Sequence, residues 1–320
     1  MASLKLATFN CENLFARFKF NRNIDPQKAV KDGWSANDTY FTIHNPTEKK
    51  LTEKAIRKAG ADVIALQEVE SMLTLKKFRT QHLRNMGYKY HFVVDGNDPR
   101  FIDVGILSRY PIEKIDTHIH EWDDDLRSPM FSRDCLECDV VLPNSKRVRL
   151  FVNHFKSMFD RKDPCNGRRN TRKRRLHQAK RVREIVKSEY RNLDDDSALF
   201  AILGDFNDYP ETDAQGETAV ADLVRWNKVV NVVNRLPADE RWTHYFKGNS
   251  SCGIGKTYHQ LDYILLSKPL AEKNASVKVE IIRDGLPRRA TRYKGPWFDN
   301  VGTTKPKASD HCPVVIHLEL

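Results

Sequence analysis

Short apolar runs recur along the chain, and each stops on a polar residue. They cover residues 4–10 (LKLATFN), 62–68 (DVIALQE), 103–108 (DVGILS), 149–154 (RLFVNH), 199–207 (LFAILGDFN), 261–267 (LDYILLS) and 312–320 (CPVVIHLEL). Runs of this length, rich in Val, Ile, Leu and Phe, predict strands buried on both faces. Residues 135–142 (CLECDVVL) predict a further strand with a solvent side. Two helices are legible. Asn45 can cap the first, with Pro46 at its first position, Glu48 at the third and Gly60 past its end, and Leu51, Ala55 and Ala59 recur at fourfold spacing. The second spans residues 171–190, with Leu176, Ala179, Val182, Val186 and Tyr190 on one stripe. Strands alternating with helices and hairpins predict sheets covered by helices. No Gly-, Ser- or Pro-rich linker divides the chain, so one domain over residues 1–320 is expected. The polar stretches 21–44, 160–175 and 283–306 read as long surface loops, which are often functional in compact proteins.

The strand ends carry the chemistry. Asn10 closes the first run, followed by Glu12; Glu68 closes the second; His154 closes the run in VNHFKS. Asp205 and Asn207 lie in LGDFND, Asp262 in QLDYILLS, and Asp310 and His311 in SDHCPV. Taken singly, each fits a turn, a cap or a satisfied histidine. Taken in order, they supply the parts that phosphodiester hydrolysis needs. Glu68 and Asp310 are candidate carboxylate ligands for Mg2+, with the side-chain oxygen of Asn10 as a neutral helper. An Asp262–His311 couple can deprotonate a water that Asp205 orients. His154 and the amide of Asn207 can donate to the non-bridging oxygens.

The ordered series TFN, LQEVE, NHFKS, LGDFND, LDYILLS and SDHCPV resembles the endonuclease/exonuclease/phosphatase superfamily, to which deoxyribonuclease I belongs, over nearly the whole chain. The resemblance implies an α/β four-layered sandwich, two mixed β-sheets face to face with helices outside, and a site where the motif loops converge. It implies Asn10, Glu68 and Asp310 as metal-site positions, with Mg2+ (or Mn2+) as cofactor. It matches Asp205 and Asn207 to the nucleophile-orienting and phosphate-binding pair, Asp262 to the partner of His311, and His154 to a phosphate-contacting position. Two departures stand out. Exonuclease III-type abasic endonucleases usually carry Tyr where His154 stands, which argues against a dedicated abasic-site role. They also carry Asp where this chain has Glu12, so Glu12 is a candidate metal ligand only through its longer arm.

Charge narrows the substrate. Lys plus Arg total 54 against 43 Asp plus Glu, a formal net charge of +11, which favours polyanionic partners. The block GRRNTRKRR places Arg172 and Arg175 in a candidate arm along a phosphate backbone, or alternatively on a solvated helix start; Arg109 is a further substrate-binding candidate. Arg283, Arg288, Arg289, Arg292 and Lys294, with Tyr293 and Trp297, form a second basic stretch. Nucleic acid is therefore the expected substrate, with a lipid head group or small phosphorylated molecule as the alternative and a non-catalytic binding module as a third reading. No run reaches the roughly 18 apolar residues of a membrane-spanning helix, and no leader is visible at the N-terminus. A cytoplasmic protein, or a secreted one after leader removal, and a monomer are expected. The six cysteines are scattered and read as reduced, partly buried thiols, with Cys135 and Cys138 at most half of a zinc site.

Overall fold

Two six-stranded sheets carry the architecture. In chain order their strands are β1 (Ser3–Leu14), β2 (Val63–Val69), β3 (Tyr90–Val94), β4 (Asp103–Ser108), β5 (Ile112–Asp116), β6 (Cys135–Val141), β7 (Arg147–His154), β8 (Phe200–Asp205), β9 (Val229–Asn231), β10 (Asp262–Ser267), β11 (Val279–Ile281) and β12 (Val314–Glu319). The computed structural model describes residues 2–15, 18–20, 41–43, 46–214 and 216–320. The expected cap Asn45 and most of the 21–44 stretch lie outside them.

The first sheet runs β11-β12-β1-β2-β4-β3 and the second β9-β10-β8-β7-β6-β5. Each has one parallel pair at its centre, β1 with β2 and β7 with β8, flanked by antiparallel neighbours. Because strands alternate their side chains, each sheet has two faces to bury. Leu4, Leu6, Val63 and Ile106 of the first sheet meet Leu150, Val152, Leu203 and Ile264 of the second in the central core. On the outer face of the first sheet, Phe9, Ile64 and Leu66 pack against Leu51, Ala55 and Ile56 of α1 (Pro46–Ala59) and Leu75 and Phe78 of α2 (Met72–Gln81). On the outer face of the second, Phe151, Ile202 and Tyr263 pack against Ala179, Val182 and Val186 of α3 (Arg172–Glu189). The result is the four-layered α/β sandwich, helix over sheet over sheet over helix.

Three sequence expectations are corrected. The residues 135–142 strand has no solvent side: Glu137 and Asp139 are buried, and both pair with Arg149, at 3.2 Å and 2.7 Å. Cys165 and Cys252 are joined in a disulfide across 87 residues, with Cα atoms 5.2 Å apart, so the cysteines are not all reduced. The pairing was hidden because the fold, not the sequence, brings the loop after β7 against the loop between strands His244–Phe246 and Thr257–His259. Cys135 faces the helix-side core and Cys138 the central core, on opposite faces of β6, so they cannot share a zinc ion.

Candidate active site

The candidate side chains collect at one end of the sandwich because the central strands deliver them there. β1 and β2 run parallel and end on Asn10–Glu12 and Glu68; β7 and β8 run parallel and end on His154 and Asp205, which are direct neighbours in the ladder. β10 and β12 run the opposite way, so they begin at that end with Asp262, opposite Asp205, and with Asp310 and His311 just ahead of Val314. Backbone irregularity then turns the side chains inward. Glu12, Glu68 and Asn207 adopt left-handed φ values of 45°, 62° and 51°, which non-glycine residues hold only where the surroundings enforce them. The ladder between β1 and β2 slips between Asn10 and Leu14, and that between β2 and β4 slips at Glu68. Gly204, at φ +134°, is needed because a Cβ there would lie 1.9 Å from the Asn153 carbonyl oxygen.

Asp205 is the hub. Its carboxylate accepts from the Asn207 backbone N–H at 2.7 Å, from Asn207 Nδ2 at 3.0 Å and from Asn10 Nδ2 at 3.0 Å. His154 Nε2 stands 3.5 Å and His311 Nε2 3.8 Å from the same carboxylate. Asn207 Nδ2 also donates to the Phe155 carbonyl at 3.0 Å. Behind His311, Nδ1–H donates to Asp262 Oδ2 at 2.9 Å. Thr243 holds that carboxylate: its hydroxyl donates to Asp262 Oδ2 at 2.7 Å and accepts the N–H groups of Leu261 and Asp262 at 3.0 Å. Ser309 ties the segment ahead of β12 to the neighbouring β1, donating to the Asn10 carbonyl at 2.8 Å and accepting the His311 N–H at 3.0 Å.

Burial and charge set the ionisation. Burial, reinforced by Asp262 against the opposing pull of His311, raises Asp205 to about 7. For His311, burial pushes down, but Asp262 and Asp205 outweigh it and hold the imidazolium well above the ordinary value. His154 goes the other way: burial, then the charges of Arg133 and His311, hold it well below, so its ring is neutral.

The expected metal ligands occupy the adjoining side. Glu68 is bonded by the Asn10 amide and lies close to Asp310. Asp310 N donates to Glu12 Oε2 at 2.9 Å, and Lys307 Nζ reaches Glu12 at 2.7 Å and Asp310 at 3.6 Å. Asn10, expected as an oxygen ligand, instead turns its amide nitrogen to the carboxylates, its oxygen accepting the Glu12 N–H at 3.0 Å. Burial and the neighbouring Asp310 raise Glu12 to about 8, and the same causes raise Glu68. Carboxylates so crowded suit an added cation, and their oxygens suit a hard one. Among the described residues, two groups also bring three ligand atoms within 4.8 Å of one another, Asp205–Asp262–His311 and His244–Asp310–His311, which share His311.

The sequence model of the Endonuclease/Exonuclease/phosphatase family matches residues 5–320. The chain belongs to that family. Among solved structures, beta toxin from Staphylococcus aureus superposes with a TM-score of 0.60 at 19% identity, covering 99% of this chain and 100% of that one. TDP2 from D. rerio, complexed with a single strand DNA product, gives 0.59 at 16% identity with 100% of both chains covered. Truncated TDP2 from Caenorhabditis elegans gives 0.57 at 16%, covering 99% and 98%. At these identities the likeness is one of fold. Comparison with curated proteins gives no match.

Within this family frame, the basic candidates from sequence scatter. Arg109 lies at the opposite end of the first sheet, donating to Asp62 at 2.8 Å and to the Met86 carbonyl at 2.7 Å, far from the strand ends that carry the site. Arg175 is fully buried and, with Arg168, clamps Asp208, the residue after Asn207, at 3.2 Å and 2.7 Å. Arg172 stays at the surface on the Glu217 carbonyl. A different set of cations lies beside the site, and of these only Arg174, in GRRNTRKRR, stood in the expected basic arm. Arg100, Arg133, Lys156 and Arg174, with Asp98 and Ser132, line a cavity of about 300 Å³ beside His154. Burial and the neighbouring Arg133 and Arg100 lower Lys156 to about 8. Besides Arg174, Lys156 alone carried a sequence signal, standing inside NHFKS.

Proposed function

We propose that the protein is a divalent-metal-dependent phosphodiesterase that hydrolyses nucleic acid by in-line attack of water. The three activities in the family's name share hydrolysis of a phosphoester. The observation that carries the nucleic-acid reading is the four-cation cavity beside His154, because a backbone brings phosphates to both the reacting position and its neighbours. The D. rerio TDP2 complex with single strand DNA product supports the same reading.

Asp205, held by three hydrogen bonds and raised to about 7, suits a base that takes the proton of the attacking water near neutral pH. His311, kept charged by Asp262, donates to a non-bridging oxygen and stabilises the charge that develops there. Neutral His154, through Nε2, and Asn207 complete the donor set. Glu68, Glu12 and Asp310 would hold Mg2+ or Mn2+, which neutralises phosphate charge when bound. Among the described residues no helix is long and apolar enough to cross a membrane. The Cys165–Cys252 disulfide favours the secreted location over the cytoplasmic one.

The test is a substrate panel of plasmid, single-stranded DNA, RNA, sphingomyelin and inositol phosphates, run with Mg2+ and with EDTA. Nucleic-acid cleavage that stops with EDTA is expected. Asp205→Asn should lower kcat by about a hundredfold to ten-thousandfold. Hydrolysis confined to sphingomyelin or inositol phosphates would replace the nucleic-acid reading, and full turnover by Asp205→Asn would remove the assigned base.

A further inference from the structure

A second cationic cavity lies on the other flank of the centre. Across the sandwich β10 packs against β12, while β4 packs against β6, with Asp205 on β8 between these flanks. Arg100 and Arg133 belong to the β4/β6 flank. On the β10/β12 flank, strand His244–Phe246 is bonded to the motif that holds Asp310: Tyr245 N donates to the Asp310 carbonyl at 2.9 Å, and Cys312 N to the Thr243 carbonyl at 2.7 Å. This joint opens on a cavity of about 230 Å³ walled by Tyr245, Phe246, Lys247, Arg289, Lys307 and Asp310. It therefore abuts the candidate metal ligands directly.

Tyr245 makes this more than a patch of surface charge. The residue is only 3% exposed, and among the described residues its hydroxyl has no hydrogen-bond partner. A buried hydroxyl without a partner is costly, and such groups in native proteins ordinarily meet a ligand or water. Arg289 and Lys307 lie close enough to act on its ionisation. Among the described residues neither Lys247 nor Arg289 forms an ion pair, whereas Lys307 is engaged with Glu12 and Asp310. The carboxylates of Glu12 and Asp310 on the inner wall are matched by Lys307, which leaves the phenol O–H, the Arg289 guanidinium and the Lys247 ammonium as donors suited to anionic oxygens. Phe246, partly exposed, adds an apolar wall for the sugar or base attached to them.

We propose that this cavity is a subsite for the phosphate one linkage away from the scissile one, so that the substrate strand spans both flanks and is cut internally. The inference rests on the nucleic-acid reading above. The flanking phosphate receives Tyr245 Oη–H and Arg289, with Lys247 at the rim.

The experiment compares a dinucleoside monophosphate with the same compound extended by one phosphate at its 5′ or its 3′ end, measuring kcat/KM for each. In the wild type, extension at one end should raise kcat/KM by about tenfold to a hundredfold, the worth of one charge-assisted hydrogen-bonded contact. Tyr245→Phe and Arg289→Gln, the latter at an exposed position, should each remove most of that gain. On longer single strands Arg289→Gln should flatten the slope of log(kcat/KM) against log salt by about 0.7. A full gain from the added phosphate in both variants, with an unchanged salt slope, would overturn the subsite while leaving the nuclease reading intact. Hydrolysis of bis(p-nitrophenyl) phosphate without cleavage of any oligonucleotide would remove the nuclease reading itself, and the subsite with it.

Discussion

The Asp208→Asn substitution should destabilise the protein more than any loss of a surface ion pair. Asp208 is fully buried at the end of LGDFND and accepts from Arg168 Nε at 2.7 Å, Arg175 Nε at 3.2 Å and the N–H groups of Tyr209 and Ala219 at 3.1 Å. Arg175 has other hydrogen-bond acceptors, among them the Arg168 carbonyl at 2.7 Å and Thr171 Oγ1 at 2.6 Å, but Asp208 is its counter-charge. The amide keeps the shape and removes that charge, and it turns a nitrogen donor toward one of the two guanidinium groups. Removing one partner of a buried pair costs about 3–5 kcal/mol, because the other charge stays buried. At about 2 °C per kcal/mol for a chain of this size, the melting temperature should fall by about 6–10 °C.

Thermal unfolding followed by circular dichroism reads this directly. Arg172→Ser, which removes a cation from the same block but at the surface, should stay within about 0.5 kcal/mol of wild type, or about 1 °C. Combining Asp208→Asn with Arg175→Met should recover part of the loss, because the uncompensated charge goes as well. A melting temperature within about 2 °C of wild type for Asp208→Asn alone would refute the clamp.

Other outcomes follow from the site. Glu12 at about 8 and Asp205 at about 7 sit above the value near 4 that carboxyls have when unfolded. Between those limits the native state holds more protons than the unfolded one, so their contribution makes stability fall as pH rises. A bound divalent cation needs the ionised forms, so Mg2+ should raise the melting temperature more at pH 8 than at pH 5; an equal shift at both would contradict the assigned ligands. Thr243→Val should lower kcat by about tenfold or more with little change in KM, and shift the basic limb of the pH–rate profile as Asp262 loosens from His311, while Thr243→Ser should retain activity. Lys156→Gln should raise KM and flatten the salt dependence of cleavage; an unaltered slope would place Lys156 outside the phosphate path.

What could be read from sequence divides along physical lines. The central strands were legible because each is buried on both faces and so writes an unbroken apolar run. Strands β3, β5, β9 and β11, the four sheet edges, were not: they are short or half-exposed, and in β5 the residues Glu113, Lys114 and Asp116 mask the pattern. The apolar stripe of α3 was read from Leu176 onward, yet the helix also buries Arg175 and Gln178, the latter accepting the Lys156 N–H at 2.9 Å. Periodicity in apolar residues cannot report a polar side chain that is buried because its partner is.

The site divides in the same way. Asn10, Glu68, His154, Asp205 and Asp262 each stand where an apolar run breaks, so a change of polarity marks them in the chain. Arg100, Arg133, Lys156 and Arg174 come from four separate segments; Lys156 stands in NHFKS and Arg174 in GRRNTRKRR, but Arg100 and Arg133 read as two of 54 basic residues and nothing in the chain joins the four. Only the approach of the β3–β4 loop, the start of β6, the end of β7 and the first turn of α3 makes them a cavity. Thr243 and Tyr245 were hidden for a related reason. The strand of Tyr245, with Thr243 just ahead of it, joins neither large sheet and is fixed by its bonds to Thr257–His259 and to the Asp310–Cys312 stretch. The acidic and imidazole groups of the proposed centre are placed by the strands that carry them, and strands announce themselves. Groups that would choose the substrate are placed by loops meeting in space, and a substitution there should change which phosphoester is cut before it changes whether one is cut.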